Sequence, residues 1–185
     1  MADFVQGLAS LQRELADRRG LPPVDRWHPA LCGDIDIRIA RDGTWFHQGT
    51  PIGRRELVRL FSTILRKEED GYYLVTPAEK MRILVEDVPF LAVLLDVEGT
   101  GEVQRLKFTT NVGDVAIAGP EHRIRVEISD GGEPAPYIHV RSGLEARISR
   151  NVFYQLAEIA VPGKRSDGQL GVWSDGVFFP LGSAA

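Results

Sequence analysis

Three arginines in this chain stand where helices are predicted to begin. Arg54, in "PIGRREL", and Arg150, in "RISRNVF", each follow an isoleucine by two residues, and Arg147 opens the second stretch. The first turn of a helix carries N–H groups with no partner inside the helix and the positive end of the macrodipole. A cation there costs about 0.3–1 kcal/mol at an exposed site unless something offsets it. One offset is an anionic ligand on which the free N–H groups and a guanidinium fork converge, a phosphate or a carboxylate. The plainer alternative is a salt bridge to Asp34 or Asp36, in the predicted strand nearby.

The strands that lead into these helices add further candidate groups. Trp45 and His47 share one face of a predicted strand, and Tyr137, His139 and Arg141 share one face of another, because side chains alternate along a strand. A ring, an imidazole and a guanidinium together can stack on and hydrogen-bond a planar, charged ligand such as a nucleotide. The alternative for each residue alone is a core aromatic or a half-exposed sheet residue. Asn111, with Thr109 and Thr110 in "FTTNVGD", can line a cleft or simply make a turn. Asp34 and Asp36 flank Ile35 in "DIDIR", on the strand that also carries Arg38, and can offer oxygen ligands to a hard cation. Two carboxylates are too few for a dedicated metal site, so no metal is expected.

Other chemistries lack their motifs. His28, His47, His122 and His139 show no zinc-binding spacing, and Cys32 is the single cysteine, which excludes an internal disulfide and a cysteine zinc cluster. There is no phosphate-binding P-loop, no dinucleotide-binding glycine fingerprint and no nucleophile elbow, so no cofactor is expected.

The elements that must position these groups can be read from periodicity. "DIDIRIA" alternates, "RDG" turns it, and "TWFHQ" returns, which predicts a hairpin over 34–48. Helices are expected at 53–66 and 149–161, with short strands at "YYLV", "MRILVE", "FLAVLLDV", "VQRLKFTT", "VAIA", "IRVEIS" and "YIHVRSG", and terminal strands at "QLGVW" and "GVFFP". Strands running in blocks favour an α+β fold over a doubly wound sheet. Shifting the chain by 96 residues sets Ile52 on Ile148, Arg54 on Arg150, Leu57 on Phe153 and Leu60 on Leu156. With Gly53 and Ser149 as N-caps, both helices would begin with the same hydrophobic staple. We read this as an internal duplication: two sheet-plus-helix subdomains, each too small to bury enough apolar surface alone.

Composition bounds the rest. The chain has 185 residues, 43% hydrophobic and 26% charged, with a net charge of −4. That balance argues against disorder and against an extended nucleic-acid partner. No apolar run is long enough to span a bilayer, and the first residues lack a signal-peptide pattern, so a cytoplasmic location is expected. Phe4, Leu8, Leu11 and Leu15 predict an amphipathic helix over 1–20, followed by subdomains at 21–87 and 88–185.

The motifs "CGDIDIRIARDGTWFHQGTPIGRRELVRLFSTILR", "YYLVTPAEKMRILVEDVPFLA", "LKFTTNVGD" and "EPAPYIHVRSGLEARISRNVFYQLAE", in that order, resemble the bacterial family of domain of unknown function 1285. The resemblance spans roughly residues 20–180. It implies an α+β core of two related subdomains, the second superficially similar to pleckstrin-homology folds. It also implies a ligand site at the interface between them and a link to signalling, but no reaction and no catalytic residue. The second copy departs from the first at Val152, opposite Glu56, and at Ala157, opposite Phe61, so two sites would not be equivalent. The expected function is binding or sensing of a small anionic, nucleotide-like ligand between the subdomains, with no membrane partner and with catalysis left open. The alternatives are a metal-assisted hydrolase built on Asp34 and Asp36, and a scaffold for a protein partner.

Overall fold

The structure is a computed structural model that describes residues 20–128, 131–163 and 168–183. The helix expected over 1–20 lies outside the described residues. Two compact units are present, residues 1–87 and 88–185. Both are dominated by sheet, with two α-helices among the described residues.

In the first unit β1 (Leu31–Ile39), β2 (Trp45–His47) and β3 (Thr50–Pro51) form one antiparallel meander, followed by helix α1 (Arg55–Thr63). A second meander follows: β4 (Leu65–Glu68), β5 (Gly71–Val75) and β6 (Lys80–Val85). A parallel contact between β1 and β6 joins the two into one sheet of order β3-β2-β1-β6-β5-β4. The predicted hairpin pairs Ile37 with His47 and Ile39 with Trp45. Gln48 and Gly49, both at positive φ, make the tight turn into β3. Ile37, Ile39, Trp45, Phe61 and Ile64 are buried together in the core of this unit, with the Trp45 and Phe61 rings stacked at 6.1 Å. Helix α1 stops before Leu65, short of the expected Arg66, because the "LRKE" backbone pairs with β5 and Leu65 is buried opposite Leu74.

Arg66, in that unexpected strand, fastens the proline-bearing connector to the sheet. It donates to the Val24 and Trp27 carbonyls at 3.2 and 2.7 Å and pairs with Glu68, which also accepts from Lys80 at 3.0 and 3.2 Å. The Lys80 ammonium, and then Arg66, hold the Glu68 carboxyl below its ordinary value of 4.5. A depressed folded-state pKa gives stability that is present above 4.5 and lost as pH falls through the lower, folded value. Glu68→Gln is therefore expected to be less stable than the parent at neutral pH by about 1 kcal/mol or less, with the difference closing in acid. Urea titrations at pH 7 and pH 3 would check this; a gap that persists at pH 3 contradicts it.

The second unit repeats the sheet. The strands β7 (Phe90–Glu98), β8 (Arg105–Thr110) and β9 (Val115–Ile117) form one meander. A second is made by β10 (Ile124–Ile128), β11 (Pro134–Arg141) and β12 (Leu144–Ile148). Again the first and sixth strands, β7 and β12, meet in parallel, so the strand order matches that of the first unit. The sheet curls enough that β9 comes against β11. Helix α2 (Arg150–Glu158) follows the sixth strand and packs on β7. A small sheet of β13 (Val161–Pro162), β14 (Gln169–Ser174) and β15 (Val177–Ser183) ends the unit, the last two being the predicted terminal strands.

The repeat is thus real at the level of the sheets, but its register differs from the one read across the helices. The N-caps are Arg54 and Ser149, 95 residues apart, so Gly53 is not a cap and Arg54 is not at the first helical position. Both helices close on an isoleucine, Ile64 and Ile159, with nearly the same dihedral angles, in that same 95-residue register. The buried stripe of α2 is accordingly Val152 and Leu156, whereas Ala157 is exposed. The staple geometry survives only in the second helix, with Ile148 before the cap and Phe153 at the fourth position. Moreover, α1 joins the third and fourth strands of its sheet, whereas α2 follows the sixth. The two helices resemble each other because each packs on a sheet, and they occupy different places in the two units.

Candidate functional site

In the first unit a cavity of about 470 Å³ opens where β1 departs from regular pairing. Asp34 is opposite Arg82 and Arg38 is opposite Leu84, so four steps along β1 are matched by two along β6. Consecutive residues 34–38 thereby line the cavity, together with Phe46, Gly49, Arg82, Ile83 and Leu84. Asp34, Asp36 and Arg38 all line this cavity. Arg38 is engaged twice, by an ion pair with Glu86 and by its guanidinium lying 4.2 Å from the Phe46 ring centroid. Arg82 turns to Asp70 at 2.7 Å and to the Tyr73 hydroxyl at 2.9 Å. The Tyr73 hydroxyl, and then the field of nearby carboxylates, holds the Arg82 pKa above its ordinary value.

The other three candidates of this unit lie elsewhere. Trp45 is 2% exposed beneath α1, so it is a core residue and offers no stacking face to a ligand. His47 is half-buried between Ile37 and Thr50 in the sheet. Arg54 is exposed at the cap of α1, where the predicted N1 position is taken by Arg55. Among the described residues no three His, Cys, Asp or Glu side chains converge as a metal site would need, so Asp34 and Asp36 have no third protein ligand there.

A smaller pocket of about 250 Å³ lies at the start of α2 in the second unit. Arg147 and Arg150 line it with Glu133, and Pro134, Pro136, Ile148, Phe153 and Tyr154 give it an apolar wall. The Ser149 hydroxyl accepts from the Val152 N–H at 3.5 Å, which leaves the N–H groups of Arg150 and Asn151 pointing out of the helix end. The Arg150 side chain is 73% exposed and 4.0 Å from Glu133, a weak, solvated contact.

The remaining candidates of the second unit serve the fold. Tyr137 is 4% exposed, and its ring lies 4.1 Å beneath the Arg125 guanidinium, with Arg147 at 5.9 Å. A ligand ring therefore cannot take that place. The His139 Nδ1 donates to the Glu121 carbonyl at 3.0 Å, and its Nε2 accepts the Gly143 N–H at 3.2 Å, so both ring nitrogens are committed to backbone. Arg141 pairs with Asp114 and lies over Phe90 at 4.9 Å. Asn111 exchanges hydrogen bonds with Leu91, at 3.0 Å through its side chain and 2.8 Å through its backbone. Tyr154, which sequence reasoning missed, is 56% exposed and lines the pocket with Arg150. Its signal was the spacing of four from Arg150 along a helix.

These features define a two-unit, sheet-dominated protein with a concave surface described in each unit. The chain belongs to the DUF1285 family: residues 22–88 match the domain of unknown function DUF1285, N-terminal domain, and residues 89–181 match the protein of unknown function DUF1285, C-terminal domain. A crystal structure of a DUF1285 family protein from Silicibacter pomeroyi DSS-3 is 54% identical, covers 91% of each chain and superposes with a TM-score of 0.84. Another, of a DUF1285 family protein from Shewanella baltica OS155, is 26% identical, covering 67% of this chain and 91% of its own, with a TM-score of 0.53. No curated protein matches the chain. Among the described residues, no helix is long and apolar enough to cross a membrane.

Proposed function

We propose that this chain is a cytoplasmic binding or sensing protein that recognises a small anionic ligand in the pocket at the start of α2. The observation that carries this reading is the convergence of Arg147 and Arg150 on one concave surface at the start of a helix. Tyr154 and Pro136 give that surface an apolar wall on which a planar ligand body, such as a nucleotide base, can lie. The stacking role expected of Trp45 or Tyr137 passes to Tyr154. A role in signal transduction, a pleckstrin-homology-like second unit and descent by internal duplication are parts of the same proposal. Support for them comes from the curled six-stranded sheet followed by a helix, and from the strand order common to the two units.

Calorimetric titration of the full chain with AMP, ADP and a sugar phosphate, at matched ionic strength, tests the reading. A charge-assisted hydrogen bond is worth about 1.5–3 kcal/mol. Arg150→Ala should therefore weaken a phosphate ligand about tenfold or more. Equal affinity in parent and variant would remove the anion site. Absence of binding by any phosphate ligand would do the same and favour the protein-partner scaffold.

A further inference from the structure

We propose that the cavity between β1 and β6 of the first unit binds a small organic polycation, an aliphatic diamine or polyamine. The charges of its lining decide the sign of the occupant. Each guanidinium that reaches the cavity is matched by a carboxylate outside its lining, Arg38 by Glu86 and Arg82 by Asp70. Asp34 acts on Arg82 through its field, and no hydrogen bond or ion pair joins the Asp34 or Asp36 carboxylate to another described side chain. With Glu86 and Asp70 counted, four carboxylates face two guanidiniums, so the surplus charge is negative. An anion would meet two carboxylates and two guanidiniums already engaged. The Phe46 ring, which otherwise offers a cation–π face, is covered by Arg38.

The two aspartates are separated by one residue, which on an extended strand sets their side chains about 7 Å apart or closer where β1 bulges. Two ammonium groups joined by three or four methylenes match that separation. Ile35, Ile83 and Leu84 lie along the same cavity and provide apolar contact for the methylenes. Leu84 is 58% exposed, an unusual degree for a leucine beside two carboxylates, and a ligand stem would cover it. A volume of about 470 Å³ is within the range of small-molecule sites. A bare divalent ion would use the carboxylates alone and gain nothing from Leu84.

The test is titration of the full chain with spermidine, putrescine, butylamine and magnesium chloride at matched ionic strength, followed by two-dimensional NMR of backbone amides. Saturable binding of spermidine and putrescine is expected, with shifts centred on residues 34–38 and 82–84 and butylamine weaker. Asp34→Asn combined with Asp36→Asn should weaken spermidine about tenfold or more, and Leu84→Ser should weaken it without altering the response to magnesium. Both changes fall on exposed side chains, so the fold is kept, which circular dichroism would verify. No saturation up to about 10 mM, a Kd corresponding to less than about 3 kcal/mol, overturns the proposal. Undiminished binding in the double variant does so too, as do magnesium shifts equal in place and size to those of spermidine. Because the cavity is in the first unit, spermidine binding should survive Arg150→Ala.

Discussion

Replacing Gly171 with alanine is expected to lower the thermal midpoint of the protein by roughly 6–12 °C. Gly171 lies on β14 opposite Pro180 of β15, next to a bulge, and it is buried. A Cβ built there would stand 2.3 Å from the Phe179 carbonyl oxygen and 2.6 Å from the Phe178 ring. The ring can move, because Phe178 is only half-buried and rests against Trp173 at 5.2 Å. The carbonyl belongs to the neighbouring strand, and moving it breaks the pairing of the hairpin. Overpacking of a well-filled site costs about 1–3 kcal/mol, and the backbone clash puts this case at the upper end. Each kcal/mol shifts the midpoint of a chain this size by about 2–4 °C. Gly182→Ala in the same sheet is the control, since nothing lies within 4 Å of a Cβ there and its backbone is ordinary. Equal midpoints for the two variants, read by differential scanning calorimetry, would show that β14 and β15 separate without cost.

Ser174→Ala should destabilise the second unit by about 2–4 kcal/mol. The serine has 0% exposure at the end of β14, and its hydroxyl joins two elements distant in sequence. It accepts the Leu106 N–H at 2.9 Å and donates to the Ala118 carbonyl at 2.7 Å. Alanine fills nearly the same volume and leaves both backbone groups without that partner in a dry site. A buried unsatisfied group costs about 1–3 kcal/mol, so the effect comes from the groups left behind and not from the small loss of packing. Hydrogen exchange localises it: the Leu106 amide should exchange faster in the variant. The neighbouring bonds of Gln104 to the Trp173 carbonyl and of Asp175 to the Gln104 carbonyl should hold the hairpin near its place. A Leu106 amide that stays fully protected in Ser174→Ala would show that another donor or a water takes over the role.

The two proposed sites would carry opposite chemistry, and this follows from which charges are already matched. Arginine is present in both linings. In the first unit each guanidinium is held by a carboxylate beyond the cavity, so Asp34 and Asp36 leave a surplus of negative charge. In the second, Arg150 is mostly in water and its only ion pair among those seen is the long contact with Glu133. Counting arginines near a helix start could not distinguish these cases. The sign proposed for each site rests on carboxylates outside the helix starts, Glu86, Asp70 and Glu133.

Local pattern by itself determined most of the elements, though not β4, whose start it places inside the first helix. The alternation of Ile35, Ile37 and Ile39 specified a strand, "RDG" its turn, and the spacing of Leu57, Phe61 and Ile64 a helix against a sheet. Ser149 announced the cap of α2, and its hydroxyl takes that role. These features are legible because they depend on residues within one or two turns of each other. Only the tertiary structure decided which strands lie side by side. The parallel contact of β1 with β6 brings Arg82 and Leu84 beside Asp34 and Arg38, across more than forty residues of chain. Periodicity carries no address for a partner strand, and the bulge that opens the cavity exists only once the two strands are paired. Burial was decided the same way. Trp45 and His47 are two residues apart on one strand, yet Phe61 stacks on Trp45 and buries it while His47 stays half-buried, a difference that "TWFHQ" alone does not place. An element follows from its own residues, whereas a site follows from the free energy of packing elements together, which depends on all of them at once.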